Sequence, residues 1–452
     1  MLYKLLKFIV RIALRVFFKR FQVNNQHFLT TQAPVIITPN HPNTFMDPLI
    51  VATLVPQQVS FLANGGVFNR FTKPVFKYLN VVPVYRKIDV SKAELNQAEL
   101  NKRTFNKCYE LLEKKGSLMI FPEGTSMIER RLRDIKTGTA RIALGAEYEN
   151  NFNLGIKIIP VGLNYSDAKR FRSEVFVNIG EPISIADFRE KYNPETFDAV
   201  EELTQRLEQH LANTIIITED DTEDELVKNI EILYKNQLFE DFKLPNQKQE
   251  EFFIIKQIVK AINYFEETDP KLVQKVRVKT KNYLENLQKL TLSDEVFNRA
   301  RHRNILARTL QTVLMLTLGA PFYLYGLLHN YIPYILPSRI ANLITKDITF
   351  RAPIMMITGI FTFLIVYPCF IWGCWHYTQN AWLTLAYAVS LPLSGYFVLA
   401  YWDFVLRASR SWNVLNLFYR NPTLVSNLIH QRTEIFKLLD QAKEAYIKTR
   451  DA

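Results

Sequence analysis

Between residues 33 and 190, short apolar runs rich in β-branched and aromatic side chains recur at 35–38, 59–63, 81–85, 117–121, 156–162 and 175–179. Longer stretches with helical spacing separate them. Ser91, Lys92, Ala93 and Glu94 form a capping box that opens a helix predicted to run to Lys115 and stop at Gly116. Such alternation predicts an α/β domain over 24–190, a mixed sheet flanked by helices. Residues 191–305 change character: Glu, Lys, Gln and Leu dominate at helical spacing, which predicts a helical connector without a chemical signature. From 306 to 410 the pattern turns apolar. No residue between Arg308 and Arg339 carries a formal charge, and none does between Ala352 and Trp402. The second stretch can cross a bilayer twice, since one crossing needs about 20 residues. Trp372, Trp375, Tyr377, Trp382, Tyr401 and Trp402 mark its ends, as interfacial aromatics do. Residues 411–452 return to a charged helical pattern.

Residues 1–23 differ again. Lys4, Lys7, Arg11, Arg15 and Lys19 recur at three- and four-residue steps, so a helix gathers them in one stripe amid Leu, Ile, Val and Phe. This predicts an amphipathic helix in the membrane interface, its cations on lipid phosphates. The cations interrupt every stretch that could serve as the apolar centre of a signal peptide, which needs about seven residues.

A chain of 452 residues holds two or three domains, and its net charge of +12 suits an anionic membrane surface or anionic substrates. Nucleic acid is not indicated, because no basic module interleaved with aromatics and no finger spacing is present. Cys108, Cys369 and Cys374 form neither metal spacing nor a disulfide framework.

Two polar islands follow apolar runs where strands should end. Asn40, His41, Pro42, Asn43, Thr44, Phe45, Met46 and Asp47 follow the run at 35–37. Phe121, Pro122, Glu123, Gly124, Thr125 and Ser126 follow the run at 118–120. A histidine with an aspartate behind it supplies a base and an orienter. The second island supplies backbone N–H groups and hydroxyls for an oxyanion. No Gly-x-Ser-x-Gly elbow is present, so the base would activate an acceptor hydroxyl directly. Arg86, with Lys87 or Lys136, offers the cationic grip a phosphate requires. Each has a plainer reading: Arg86 and Lys87 as surface cations at a strand end, Lys136 as a solvated lysine, Thr125 and Ser126 as caps. His302, His329, His376 and His430 lack acidic neighbours and receive no catalytic role.

Taken in order, the His–Asp island, the strand ending in Arg86, the Phe-Pro-Glu-Gly island and the run Ile158, Ile159, Pro160, Val161, Gly162 resemble the four blocks of the glycerolipid acyltransferase family. That family acylates glycerol-3-phosphate and lysophosphatidate. The resemblance covers roughly residues 30–185. Most of the family places four residues between His and Asp; here five intervene, as in the branch acting on glycerol-3-phosphate and dihydroxyacetone phosphate and in its bacterial relatives. In an ideal helix the extra residue swings Asp47 by about 100° relative to His41, so the two must meet through a loop.

The resemblance implies a membrane-bound O-acyltransferase of phospholipid synthesis with His41 and Asp47 catalytic. Arg86, Glu123, Gly124, Thr125 and Lys136 would then bind substrate, while Pro160 is structural. The donor would be acyl-CoA or acyl carrier protein, a co-substrate rather than a cofactor, with no metal. The acceptor would be a phosphorylated glycerol or a lysophospholipid. Other classes stay open: another lysolipid as acceptor, a non-catalytic membrane scaffold, or a transporter, although the clean spans lack the ionisable groups a transporter uses. Lys and Arg flank the stretch 353–402 and are missing from its link at 373–380, which places both ends of the stretch in the cytoplasm and the link outside. The expected location is the inner or cytoplasmic membrane, with the catalytic domain facing the cytoplasm. Gly319, Ala320, Pro321, Pro333 and Pro337 predict a broken, re-entrant or interfacial segment at 309–338.

Overall fold

The computed structural model describes residues 2–67, 70, 74, 76, 78–84, 97–244, 247–295, 297 and 305–451. It divides into two compact units. The first comprises Met1–Ile217 with Pro337–Ile360, the second Thr218–Leu336 with Phe361–Ala452.

The first unit is built on a sheet of eight strands: β1 Arg20–Asn24, β2 Val35–Pro39, β3 Val59–Asn64, β4 Val81–Val84, β5 Ser117–Met119, β6 Lys157–Tyr165, β7 Glu174–Ile179 and β8 Ile183–Ser184. Their order is β1-β7-β6-β2-β5-β3-β4, with β8 beside β6. β2 lies parallel to both β5 and β6, β5 to β3 and β3 to β4; β6 is antiparallel to β7 and β8. β2 is buried at all five positions, as a central strand covered on both faces must be. Val35 and Ile37 face one apolar cluster and Ile36 the other, which is the period of two acting at single residues.

One face is covered by α1 (Leu2–Phe17) and α2 (Met46–Leu54). The other is covered by α3 (Gln97–Glu113), α4 (Gly138–Glu149) and α5 (Asp198–Thr214). Leu203, Leu207 and Leu211 of α5 complete that second core, so the unit reaches past residue 190. The capping box at 91–94 falls outside the described residues.

The N-terminal helix departs from the sequence reading. It ends at Phe17, because Arg20–Asn24 pairs in parallel with β7 and Arg20 meets Glu174 at 2.7 Å. Leu14, Phe17 and Phe18 are buried. Lys7 does not turn toward lipid. Its ammonium donates to the carbonyl of Val55, while Arg11 reaches the Thr53 carbonyl at 2.8 Å. Both cations serve the C-terminal end of α2, where carbonyls lack partners and the helix dipole is negative. Burial, with Arg11 beside it, holds the Lys7 ammonium below its ordinary pKa. Leu2, Leu5, Leu6, Phe8 and Ile12 remain exposed together with Lys4 and Arg15. The outward face is thus more apolar than a cationic stripe suggests.

In the second unit, α6 (Asp221–Asp241), α7 (Gln247–Thr268) and α8 (Pro270–Lys289) pack with α12 (Pro422–Asp451). Arg432 of α12 clasps the buried Asp294 through two bonds of 2.8 and 3.1 Å. Three further helices, α9 (Ile305–Ile344), α10 (Ile348–Thr378) and α11 (Ala381–Arg420), are long and apolar enough to cross a membrane. The segment at 309–338 stays helical, since α9 runs through Pro321, Pro333 and Pro337. A proline removes a backbone donor, but neighbouring side chains can take over the orphaned carbonyl. Pro337 frees the Pro333 carbonyl, and Thr362 Oγ1 of α10 donates to it at 3.2 Å.

Candidate active site

The parallel pairing of β2 with β5 and β6 brings the carboxyl ends of three strands to one edge, the usual place for a site in such sheets. His41 follows β2, Glu123 follows β5 and Tyr165 closes β6. The two polar islands therefore meet because their strands are neighbours, although 82 positions separate the residues that touch.

Asp47 sits in the first turn of α2, fully buried. One carboxylate oxygen accepts from His41 Nδ1 at 2.9 Å and from the backbone N–H of Asn43 at 2.7 Å; the other accepts from Tyr165 Oη at 2.6 Å. A carboxylate can only accept, so Nδ1 carries the proton and Nε2 is the basic nitrogen. The five-residue spacing is absorbed in the loop: Thr44 adopts φ 27°, and His41 stays outside the helix. The His41 ring stacks on Phe121, centroids 3.9 Å apart, which fixes its plane.

Glu123 and Gly124 play distinct parts. Glu123 Oε1 accepts the backbone N–H of His41 at 2.9 Å and holds the first island against the second. Burial pushes its carboxyl above the ordinary value, opposed by hydrogen bonds from the backbone of His41 and Arg133. Gly124 has φ +70°, a conformation that admits glycine readily, and packs beside the Lys136 stem. Ser126 Oγ accepts from Thr44 N–H at 2.9 Å, and the N–H of Met127 donates to the His41 carbonyl at 3.1 Å. Ser126 is thus a staple between the loops. Thr125 and Lys136 are exposed at the same turn, Lys136 just ahead of α4. Pro160 lies inside β6, buried.

Arg86 and Lys87 lie outside the described residues. β4, which ends two residues before Arg86, finishes at the same sheet edge, three strand positions or about 14 Å from β2.

Two features escaped the sequence reading. Tyr165 anchors Asp47 from 118 positions away, and burial together with the Asp47 charge raises its pKa well above the usual phenol value, so it stays a donor. The only sequence signal was its place in a strand of alternating inward residues, Ile159, Val161, Leu163 and Tyr165. Arg130, Arg131 and Arg133 are half-buried on the loop that wraps Glu123, where Glu129 meets Arg133 at 2.7 Å. Tyr165→Phe is expected to remove a hydrogen bond to a buried charge, costing about 1.5–3 kcal/mol of stability. A thermal melt unchanged from wild type would show that Asp47 does not depend on it.

The family model described as Acyltransferase matches residues 20–164. Residues 20–164 thus resemble an acyltransferase domain. Glycerol-3-phosphate O-acyltransferase 1 of Saccharomyces cerevisiae is 34% identical over 144 residues, 31% of this chain and 19% of that protein. Glycerol-3-phosphate O-acyltransferase 2 of the same yeast is 33% identical over 105 residues, 23% of this chain and 14% of its own length. The chain thus spans about a fifth or less of these relatives. A solved structure, the 1-acyl-sn-glycerophosphate (LPA) acyltransferase PlsC from Thermotoga maritima, is 20% identical with a TM-score of 0.33, covering 46% of this chain and 78% of that one. The matched span contains the His41–Asp47 pair, Glu123 and Gly124.

Proposed function

We propose that the chain is a membrane-bound glycerolipid acyltransferase. It moves a fatty acyl group from a thioester donor, acyl-CoA or acyl carrier protein, to the hydroxyl of glycerol-3-phosphate or 1-acylglycerol-3-phosphate. The observation that carries this reading is the buried Asp47 holding His41 Nδ1–H at 2.9 Å, which leaves Nε2 as the basic nitrogen. Nε2 takes the proton of the acceptor hydroxyl as that oxygen attacks the thioester carbonyl. Asp47 stabilises the imidazolium that forms, and Tyr165 and Asn43 keep the carboxylate in place. The tetrahedral intermediate then collapses, breaking the carbon–sulfur bond, and the departing thiolate recovers a proton from the imidazolium. Arg86 and Lys136 are assigned to the acceptor phosphate, with Thr125 and Gly124 at the same turn. The names of the yeast relatives favour glycerol-3-phosphate as acceptor. The apolar helices α10 and α11 anchor the chain in the membrane, with the acyltransferase domain on the cytoplasmic side.

The test is direct. Purified protein is assayed with glycerol-3-phosphate and 1-acylglycerol-3-phosphate, each with acyl-CoA and with acyl carrier protein, beside a His41→Ala control. Ester formation with at least one pair, lost in the control, is expected; no ester with any pair overturns the reading. Arg86→Ala and Lys136→Ala are each expected to raise the acceptor KM roughly ten- to a hundredfold, the effect of losing a charge-assisted bond of about 1.5–3 kcal/mol, with the donor KM unchanged. A rise in the donor KM alone would move that residue to the thioester side.

A further inference from the structure

Three helices are long enough to cross a bilayer, yet the contacts inside the second unit argue against three crossings. Along its first half α9 runs antiparallel to α11. Tyr401 Oη donates to the Leu316 carbonyl at 2.5 Å. A Cβ on Gly319 would come within 2.3 Å of the Tyr401 ring, and one on Gly326 within 2.6 Å of Val398. Asn330 Nδ2 reaches Ser394 Oγ at 3.2 Å, and the His329 ring lies 5.6 Å from Tyr387. The partners descend α11 toward the two-residue link, Gln379 and Asn380, that joins it to α10.

From His329 onward the partners include α10 and run the other way relative to the link. The His329 ring is 5.1 Å from Phe370. Tyr367 Oη donates to Asn330 Oδ1 at 2.6 Å, and Thr362 Oγ1 to the Pro333 carbonyl at 3.2 Å. Within the first unit, Pro337 lies beside Gly359. These partners climb α10 away from the link. At 1.5 Å per residue, Leu316 packs roughly 30 Å from the link, Pro333 roughly 25 Å and His329 roughly 10 Å. A hydrocarbon core is about 30 Å thick, so Leu316 and Pro333 lie toward one face and His329 lies deep.

Two independent features agree. Asp294, ahead of α9, is clasped by Arg432, beyond α11, which requires an even number of crossings between them. Arg339 near the end of α9, Lys346 beyond it, and Arg407 and Arg410 in α11 are all far along the chain from the link, which has no cation. Pro333 stands where the partners pass to α10, and its missing N–H lets α9 bend there. At the tip, Asn330 is 5% exposed and binds Gly326, Ser394 and Tyr367, so it ties three helices where an unpaired amide would be costly.

We propose that α9 is a re-entrant wedge that enters and leaves the bilayer on one face, and that α10 and α11 cross once each. The surface it presents, with exposed Leu310, Leu314, Leu318, Leu324 and Leu328, contacts acyl chains of the bilayer rather than protein.

The test uses full-length protein in sealed vesicles, with Cys108, Cys369 and Cys374 replaced by Ala. Single cysteines are placed by Glu285→Cys, Lys346→Cys, Gln379→Cys and Glu444→Cys, with Tyr377→Cys as a second reporter of the link. An impermeant maleimide is applied before and after permeabilisation. Positions 285, 346 and 444 are expected to share one side, with 379 and 377 on the other. Position 346 siding with 379 would mean that α9 crosses, and five positions on one side would mean that α10 and α11 do not; either result overturns the proposal. Labelling needs no turnover, so it stands or falls separately from acyl transfer.

Discussion

His41→Ala is expected to lower acyl transfer by roughly 10²–10⁴-fold, the usual contribution of a positioned general base, while the domain stays folded. The ring is 18% exposed and the groups that fix its loop are backbone atoms: its own N–H on Glu123 and its carbonyl on Met127. Removing the imidazole leaves these contacts in place. It also leaves Asp47 with two donors, Asn43 N–H and Tyr165 Oη, so no buried charge is stranded. The measurement is release of free thiol from the donor with purified wild type and variant, beside a thermal melt. Near-native turnover in a folded variant would sink the base mechanism and favour a membrane scaffold.

Asp47→Asn is the second large effect, with a loss of kcat expected at about ten- to a hundredfold or more. The amide has one acceptor and one donor end where the carboxylate had two acceptors. Its oxygen must face His41 and Asn43 N–H, because an amide N–H there would oppose the Asn43 donor. The NH₂ then faces Tyr165, whose hydroxyl can rotate to accept. Shape and tautomer survive, and the charge that stabilises the imidazolium is lost. The expected signature is a fall in kcat at nearly constant KM for both substrates. A rise in acceptor KM at unchanged kcat would instead give Asp47 a role in binding.

Much of the site was legible in sequence because it resides in local grammar. Buried strands are continuous apolar runs, and both islands begin where such runs stop. The runs at 35–38 and 175–179 differ from β2 and β7 by a single residue at one end. Apolar lengths likewise marked α10 and α11, since a membrane's thickness constrains composition directly.

What sequence could not carry is anything set by partners distant along the chain. Tyr165 reads as one more inward strand residue, and only the parallel register of β2 and β6 brings its hydroxyl onto Asp47. Lys7 and Arg11 read as lipid-facing because periodicity fixes a helix face without naming its neighbour; the unpaired end of α2 claimed them. The prolines of α9 read as breaks because their lost hydrogen bonds are local, whereas the hydroxyl of Thr362 that repairs one comes from another helix. Sequence by itself determined which elements form and which residues can do chemistry, for both follow from spacing and side-chain type. Tertiary structure decided which of those residues meet, because strand order and helix contacts bring together groups that no local pattern encodes.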